Sequence, residues 1–284
     1  QNTANEVVAT HLLNYDRHHG YRGPIAHLNE LNYSLSDKNF SEIIHKKLET
    51  YPSINPLEPA VVLKVGEKNA LALTQSGQKI TILWPGMSWA RLSLHQRWVG
   101  RTPTRTNQIV SVGGVIYVRQ ENNQWFLSQI PDVEAAFIAL NPQNGSIEAL
   151  VGGFNFLKSK FNRATQSQRQ PGSSFKPFLY AAALNKGYTL ATLINNGPIV
   201  VDDPSQPSVW RPHNNERTFS GPTRLKEALI HSLNLVSIRI LDDLGFDYMI
   251  DFAARFGFDK KQLPRGLSLA LGSLSVSPMD LTRA

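Results

Sequence analysis

Between Pro59 and Leu127 apolar residues return at every second position in short runs: Val61, Leu63 and Val65; Leu71 and Leu73; Ile80, Ile82 and Trp84; Ile109 to Val118; Trp125 and Leu127. A period of two sends alternate side chains to opposite faces of a strand, whereas a helical face repeats every three to four positions. Gly66-Glu67, Ser76-Gly77, Pro85-Gly86 and Glu121-Asn122-Asn123 divide the runs, and such clusters mark turns. About five short strands in about seventy residues bury one face by closing on themselves, so the stretch predicts a small β-barrel of OB-like type.

On either side the spacing is helical. Residues 5–15 carry Val7, Val8, Leu12 and Leu13 on one stripe and end near Gly20; Ser41 to Leu48 reads as a second, short helix. Past Pro131, Val133 to Leu140 and Ser146 to Val151 flank Asn144-Gly145, a strong hairpin turn signal. Helices are predicted from Ser173 to Gly187, at Leu190–Ile194, Arg224–Leu244 and Asp247–Phe256, and from Ser277-Pro278 onward. Pro204 to Ser208 reads as a surface loop. The resulting organisation is a linker helix at 1–21, an OB-like barrel domain at 22–132 and an α+β domain at 133–284.

The net charge of +7 raises the question of a nucleic-acid partner, since OB folds often stack bases on aromatics over a basic groove. Its distribution argues otherwise. Thirteen Lys/Arg and ten Asp/Glu precede Val133, so the excess is spread without a basic block, which suits general attraction to anionic surfaces. Trp84, Trp89, Trp98 and Trp125 are scattered and are expected to fill the barrel or an adjoining loop. No cysteine is present, which excludes disulfides and thiolate metal sites. His18-His19 do not share a helix face and no further ligand recurs at metal spacing, so they read as a polar helix end. There is no run of eighteen apolar residues, and the first residue is Gln1; the chain is expected to be part of a longer, membrane-anchored protein.

Chemistry is concentrated at Ser173-Ser174-Phe175-Lys176, preceded by Arg169-Gln170-Pro171-Gly172 and followed by Pro177-Phe178. A serine hydroxyl is a weak nucleophile at neutral pH and needs a neighbour to take its proton. Residues three apart on a helix share a face, so a helix opening near Ser173 brings the Lys176 amine toward that hydroxyl. Pro177 falls in the first turn, where its missing N–H breaks no bond. For the lysine to act as a base it must be neutral part of the time, and the flanking Phe175 and Phe178 offer the burial that lowers its pKa. The same short pattern occurs elsewhere. Ser76 to Lys79 reads as a hairpin turn, Thr223 to Lys226 is a threonine version, and Ser53-Ile54-Asn55 repeats the pattern of Ser232-Leu233-Asn234.

Longer stretches carry a resemblance. Ala139 to Gly145 (ALNPQNG), Ala149 to Gly153 (ALVGG), Lys160 to Ala164 (KFNRA), Gln170 to Phe178 (QPGSSFKPF) and Leu269 to Ser273 (LALGS) are similar to the front half of the transpeptidase domain of class A penicillin-binding proteins. Tyr15 to Pro24 (YDRHHGYRGP), Trp89-Ala90-Arg91 and Gln129 to Val133 (QIPDV) resemble the 1A type of that family. The resemblance implies a bacterial cell-wall enzyme facing the periplasm from the inner membrane. In the family, a serine attacks the penultimate D-Ala of a D-Ala-D-Ala stem peptide and passes the acyl group to an amine on a neighbouring stem, and β-lactams acylate the same serine. Carried over, Ser173 is the nucleophile, Lys176 its base, Ser232 a proton relay and Asn234 the holder of a substrate amide, with no metal or organic cofactor. The resemblance further implies an outer-membrane lipoprotein activator docking on 22–132, and Trp89, Arg91, Arg97, Trp98 and Arg101 mark the segment to test, with a plain solvated basic loop as the other reading.

No Lys-Thr-Gly tripeptide stands in these residues, and nothing resembles the family's glycosyltransferase domain. Without the third motif one oxyanion donor and a wall of the site are missing, so the chain by itself is expected to be inactive or nearly so. Without the sheet's later strands, the edge of the 133–151 hairpin is expected to be exposed, prone to aggregation, or covered by another chain. Within the same chemistry a D-Ala-D-Ala carboxypeptidase or a serine β-lactamase is an alternative. A non-catalytic module that docks a regulator is a second.

Overall fold

In the computed structural model, which describes residues 1–28, 40–95, 98–201 and 209–284, the alternating runs pair edge to edge into a closed barrel. Helix α1 (Asn2–His18), strand β1 (Ala26–His27) and helix α2 (Phe40–Leu48) lead into β2 (Glu58–Val65), β3 (Asn69–Thr74) and β4 (Lys79–Leu83). A short hairpin, β5 (Ser93–His95) and β6 (Trp98–Val99), precedes β7 (Gly114–Glu121) and β8 (Gln124–Ser128). The sheet order is β1-β7-β2-β3-β4-β8, and the further β7–β8 pairing joins five of these strands into a ring. Every ring contact is antiparallel except β4 with β8, which meet in parallel at Ile82 and Trp125.

Both faces of the barrel wall are covered, which explains why β2 is buried along most of its length rather than at alternate residues. Ala60, Val62, Ala72, Ile82, Ile116 and Leu127 point into the barrel. Val61, Leu63, Leu73 and Val115 point outward and lie under Ile44 and Leu48 of α2. Tyr117 packs with Val8, Leu12 and Leu13 of α1. The predicted strand from Ile109 starts only at Gly114. A 3-10 turn at Thr106–Gln108 is continued by bonds from the Ile109 and Val110 N–H groups to the Thr106 carbonyl, and both side chains enter the barrel core as a plug. Ser76 sits in the β3–β4 turn, where Gly77 takes φ +86° and the Ser76 and Thr74 hydroxyls lie 2.8 Å apart.

One buried carboxylate ties α1 to both ends of the barrel sequence. Asp16 is 3% exposed. It accepts two bonds from the Arg22 guanidinium (3.1 and 3.0 Å), one from the Gln129 amide (2.7 Å) and one from the Asp132 N–H (3.1 Å). A buried ion is tolerated when paired and fully hydrogen-bonded, and here the partners come from two sequence stretches more than a hundred residues apart.

Two compact units are present: Gln1–Phe137 with Ala149–Asn162, and Ile138–Glu148 with Arg163–Ala284. The division runs through the two-stranded sheet of β9 (Phe137–Leu140) and β10 (Ile147–Val151). Its turn is closed by a bond from the Asn141 N–H to the Ser146 carbonyl, with Gly145 at φ +71°.

The second unit is built on α3 (Lys176–Asn185), β11 (Leu193–Asn196), β12 (Gly221–Arg224), α4 (Leu225–Ile230), α5 (Asn234–Leu244), α6 (Phe246–Ala254) and α7 (Pro278–Arg283). Its core gathers Phe175, Leu179, Leu225, Val236, Leu241, Met249 and Leu269. Two sequence expectations are corrected here. Leu190–Ile194 is not a helix: Leu193 to Asn196 pair antiparallel with Gly221 to Arg224, a partner far along the chain that local spacing does not reveal. Arg224–Leu244 is not one helix but α4 and α5, broken at His231 to Leu233. Pro204 to Ser208 lies outside the described residues.

Candidate active site

Ser173 occupies a 3-10 turn, Gly172–Phe175, that runs directly into α3. The turn is held from below. Phe175 is fully buried and its ring meets Phe178 and Phe258 at 5.7 and 5.5 Å, while Phe178 also meets Phe256 at 5.2 Å. Ser173 itself is exposed, and the next residue on its face, Lys176, is 1% exposed.

With no carboxylate among its bonding partners, Lys176 directs its Nζ to three oxygens: the Ser232 carbonyl (2.7 Å), the Ser232 hydroxyl (3.0 Å) and Asn234 Oδ1 (2.7 Å). An ammonium has three hydrogens, and these acceptors take all of them. Burial without a counter-ion disfavours the charged form and lowers the amine to about 8. A neutral amine keeps two hydrogens and gains a lone pair, which is the state that accepts a proton from a hydroxyl.

The break between α4 and α5 creates this arrangement. The Leu233 N–H bonds to the Ala228 carbonyl (2.9 Å) and the Ser232 N–H to the Leu229 carbonyl (3.0 Å), the two bonds of a Schellman helix end. Its left-handed position is usually glycine; here it is Ser232, at φ +51°. A non-glycine residue in that region costs about 1–2 kcal/mol, and the two bonds that Lys176 gives to Ser232 offset it. Strain of this kind, held in place by its surroundings, is common at functional sites. Asn234 opens α5, with its Nδ2 donating to the His213 carbonyl at 3.0 Å.

Ser173, Ser232 and Asn234 line one cavity of about 400 Å³, shared with Asn214, Asn215, Glu216, Thr218, His231 and Leu233. The two sequence motifs, 59 residues apart, therefore meet at one opening. Lys176 bonds directly to Ser232 and Asn234, while Ser173 stands on the opening's rim. Asn214 was not selected from the sequence: reading Arg224–Leu244 as one helix left no helix start at Asn234 for it to cap, whereas the structure begins α5 after Leu233, a residue with no side chain able to cap a helix.

The residues marked for docking separate. Trp89 is taken up by the barrel: its ring stands edge-on to Tyr21 at 6.0 Å, the Arg17 guanidinium lies 5.1 Å from its centroid, and its Nε1 donates to the Leu127 carbonyl at 3.3 Å. Arg91 donates from Nε to the Gly100 carbonyl (2.8 Å). Trp98, on the β5–β6 hairpin, is 73% exposed, beside the exposed Leu92 and Leu94; Arg101 is exposed too. Arg97 lies outside the described residues. His18 closes α1 and the His19 ring rests against Tyr15 at 4.8 Å.

Comparison with known proteins gives two family matches, to the penicillin-binding protein OB-like domain over residues 21–133 and to the penicillin-binding protein transpeptidase domain over residues 135–278. The chain is similar along its whole length to penicillin-binding protein 1A of Vibrio cholerae (43% identity, covering 34% of that protein) and of Escherichia coli (41%, covering 33%). It thus spans about a third of the length of the curated relatives it matches. The crystal structure of penicillin-binding protein 1A from Haemophilus influenzae superposes with a TM-score of 0.82 at 39% identity, over 99% of this chain and 39% of that one.

Proposed function

The chain belongs to the penicillin-binding protein transpeptidase family, with an OB-like domain ahead of the catalytic one, and we propose that it cross-links peptidoglycan stem peptides as a D,D-transpeptidase through an acyl-serine intermediate. The observation that carries this reading is the bonding of buried Lys176 to Ser232 and Asn234, which line the same cavity as Ser173. Neutral Lys176 takes the Ser173 proton as Oγ attacks the carbonyl of the penultimate D-Ala. The bond to the terminal D-Ala nitrogen breaks, and that nitrogen leaves as an amine with a proton passed through the Ser232 hydroxyl. An amine of a neighbouring stem then attacks the ester, returns its proton by the same route and frees Ser173. Asn234 Nδ2 is the donor on this side for a substrate amide oxygen. A β-lactam enters the first half of this sequence and stays on the serine. With water as acceptor the same groups would make a carboxypeptidase.

The test is labelling of the full-length protein with fluorescent penicillin, followed by peptide mapping. One adduct, on the peptide containing Ser173, is expected, and Ser173→Ala should take up none. An adduct on another residue, or a wild-type protein left unlabelled, rejects the assignment.

Among the described residues no helix is long and apolar enough to cross a membrane. Placement at the periplasmic face of the inner membrane follows from the proposed substrate, which lies outside that membrane. For 22–132 we propose docking of the outer-membrane lipoprotein activator, supported by the exposed apolar residues of the β5–β6 hairpin, Leu92, Leu94 and Trp98. Exposed tryptophans at protein interfaces are frequent hot spots, so Trp98→Ala should weaken activator binding by about thirtyfold, while circular dichroism of the barrel stays unchanged. Binding unaffected by Trp98→Ala would remove the hairpin from the docking surface.

A further inference from the structure

We infer that Asn214 is a positioning residue for this site, fixing where Asn234 stands and with it the oxygen to which Lys176 is bonded; the inference rests on the acyl-serine reading above. Asn214 is in a loop, 20 residues before Asn234, yet it is 3% exposed. All four of its hydrogen-bonding capacities are used. Its Oδ1 accepts from the Asn234 N–H at 2.9 Å and from the Leu235 N–H at 3.3 Å. Its Nδ2 donates to Asn196 Oδ1 at 2.7 Å and to the Thr218 carbonyl at 3.0 Å.

The first N–H groups of any helix lack partners within the helix and are normally satisfied by the side chain at the N-cap. In α5 that position is Leu233, which makes no such bond. Asn214 supplies the missing acceptor from outside. The amide is itself anchored: Asn196, at the end of β11, is 2% exposed and its Nδ2 donates to the Ser220 hydroxyl at 2.9 Å. A rigid chain of contacts thus runs from β11 through Asn196 and Asn214 to the start of α5.

Asn234 is held at both ends by neighbouring groups. Its backbone is fixed by Asn214 Oδ1, and its side-chain Nδ2 by the carbonyl of His213, the residue beside Asn214. Asn234 Oδ1 faces Lys176, and the second Nδ2 hydrogen is the one left for substrate. Ser232, two residues earlier, is the other recipient of Lys176, holds a left-handed conformation at the end of α4 and is joined to Asn234 through Leu233 alone. Loss of the Asn214 cap therefore releases Asn234 and Ser232 together, and through them the lysine. Asn214 touches no reacting atom itself.

The experiment uses the full-length protein and time courses with fluorescent penicillin that separate the noncovalent dissociation constant from the acylation rate constant. Asn214→Ala should lower the rate constant by about a hundredfold, the size of effect that a small misplacement of reacting groups produces. Asn214→Asp keeps an accepting oxygen for α5 but sets its second oxygen, in place of the donating Nδ2, against Asn196 Oδ1 and the Thr218 carbonyl, so it breaks the anchor and should acylate as slowly as the alanine variant. Ser277→Ala removes a cap from α7, where the Ser277 hydroxyl accepts from the Asp280 N–H at 3.1 Å; it should lower the melting temperature and leave acylation unchanged.

A folded Asn214→Ala that acylates within about twofold of wild type overturns the inference, as does a folded Asn214→Asp that does so with its anchor broken, since misplacement should cost far more. Equal slowing by Ser277→Ala would show the effect to be general loss of stability and would overturn it too. Should Asn214→Ala not fold, Asn196→Ala loosens the same anchor more gently and should slow acylation about tenfold; no slowing there rejects the inference. A wild-type protein that takes no label overturns the acyl-serine reading and this inference with it, whereas labelled wild type beside unaffected variants overturns this inference alone.

Discussion

Replacing Lys176 with methionine should slow acylation of Ser173 by about a thousandfold, the middle of the range for loss of a proton-transfer group. In the wild-type protein the acylation rate should rise as pH passes through about 8, where the buried amine loses its proton, and level off above it. The variant should show no such step. A second measurement isolates the electrostatic cause. The amine releases its proton at about 8 when folded and near the ordinary 10.5 when unfolded. Between those values the unfolded chain binds more protons, so stability must rise with pH across that window and stay flat below it. Lys176 thus weakens the fold at neutral pH, and the penalty is relieved as pH climbs. The stability of wild type minus that of Lys176→Met should rise by on the order of 3 kcal/mol from pH 8 to pH 10.5. Equal acylation by the two proteins, or a wild-type stability that does not gain on the variant's as pH rises from 8 to 10.5, would mean that Lys176 is not the buried amine without a counter-ion on which the proposed mechanism depends.

Gly272→Ala should be nearly as damaging, although residue 272 touches no substrate. Gly272 takes φ +72°, and a Cβ there would stand 2.1 Å from the Gly172 carbonyl oxygen and 2.8 Å from the Gly172 nitrogen. These are backbone atoms of the turn that presents Ser173, and they have no rotamer by which to yield. The Gly172 N–H also bonds to the Gly272 carbonyl at 3.3 Å. The substitution should therefore displace the turn that carries Ser173, with a loss of about a hundredfold in acylation and at least about 2 kcal/mol in stability. Gly145→Ala separates strain from overlap. Gly145 has nearly the same φ, +71°, but nothing within 4 Å of its Cβ position, so it should cost about 1 kcal/mol and leave acylation intact. If the two variants react with penicillin equally fast, the Gly172–Gly272 contact does not set the nucleophile's position.

What the sequence revealed, and what it did not, follows the distance over which each signal acts. Strand alternation in β2, β3, β4 and β8 is written in adjacent residues and was legible, as were the hairpin turn at Gly145 and the cap at Ser277. The Ser173–Lys176 pair was legible for the same reason, being one turn of helix. Ile109 misled because an apolar run that plugs a barrel looks the same as one that lines its wall. Leu193 and Ile194, placed by local spacing in a helix at Leu190–Ile194, begin a strand instead, because their partners Arg224 and Thr223 lie some thirty residues further along the chain. Continuous apolar spacing across Ser232 hid the end of α4, since the left-handed residue that ends it is a serine where glycine would have given the signal. Asn214 had no signal of its own. Its role is defined by a partner 20 residues away and by what Leu233 lacks. Trp89 and Trp98 are alike in the sequence, yet one is packed by Tyr21, Arg17 and Leu127 and the other stands in solvent.

The β5–β6 hairpin leaves the barrel and returns to it between fixed points. Ala90 and Ile109 are buried in the core, and the Gly100 N–H bonds back to the Leu92 carbonyl at 2.7 Å. Because the ends are pinned, the entropy cost of a longer excursion grows only logarithmically, by about 0.6 kcal/mol for each doubling of length. Residues 92–101 can therefore be exchanged, extended or shortened between lineages at little expense to the barrel that carries them. The barrel is constrained by packing on both faces, whereas the hairpin answers only to its pinned ends.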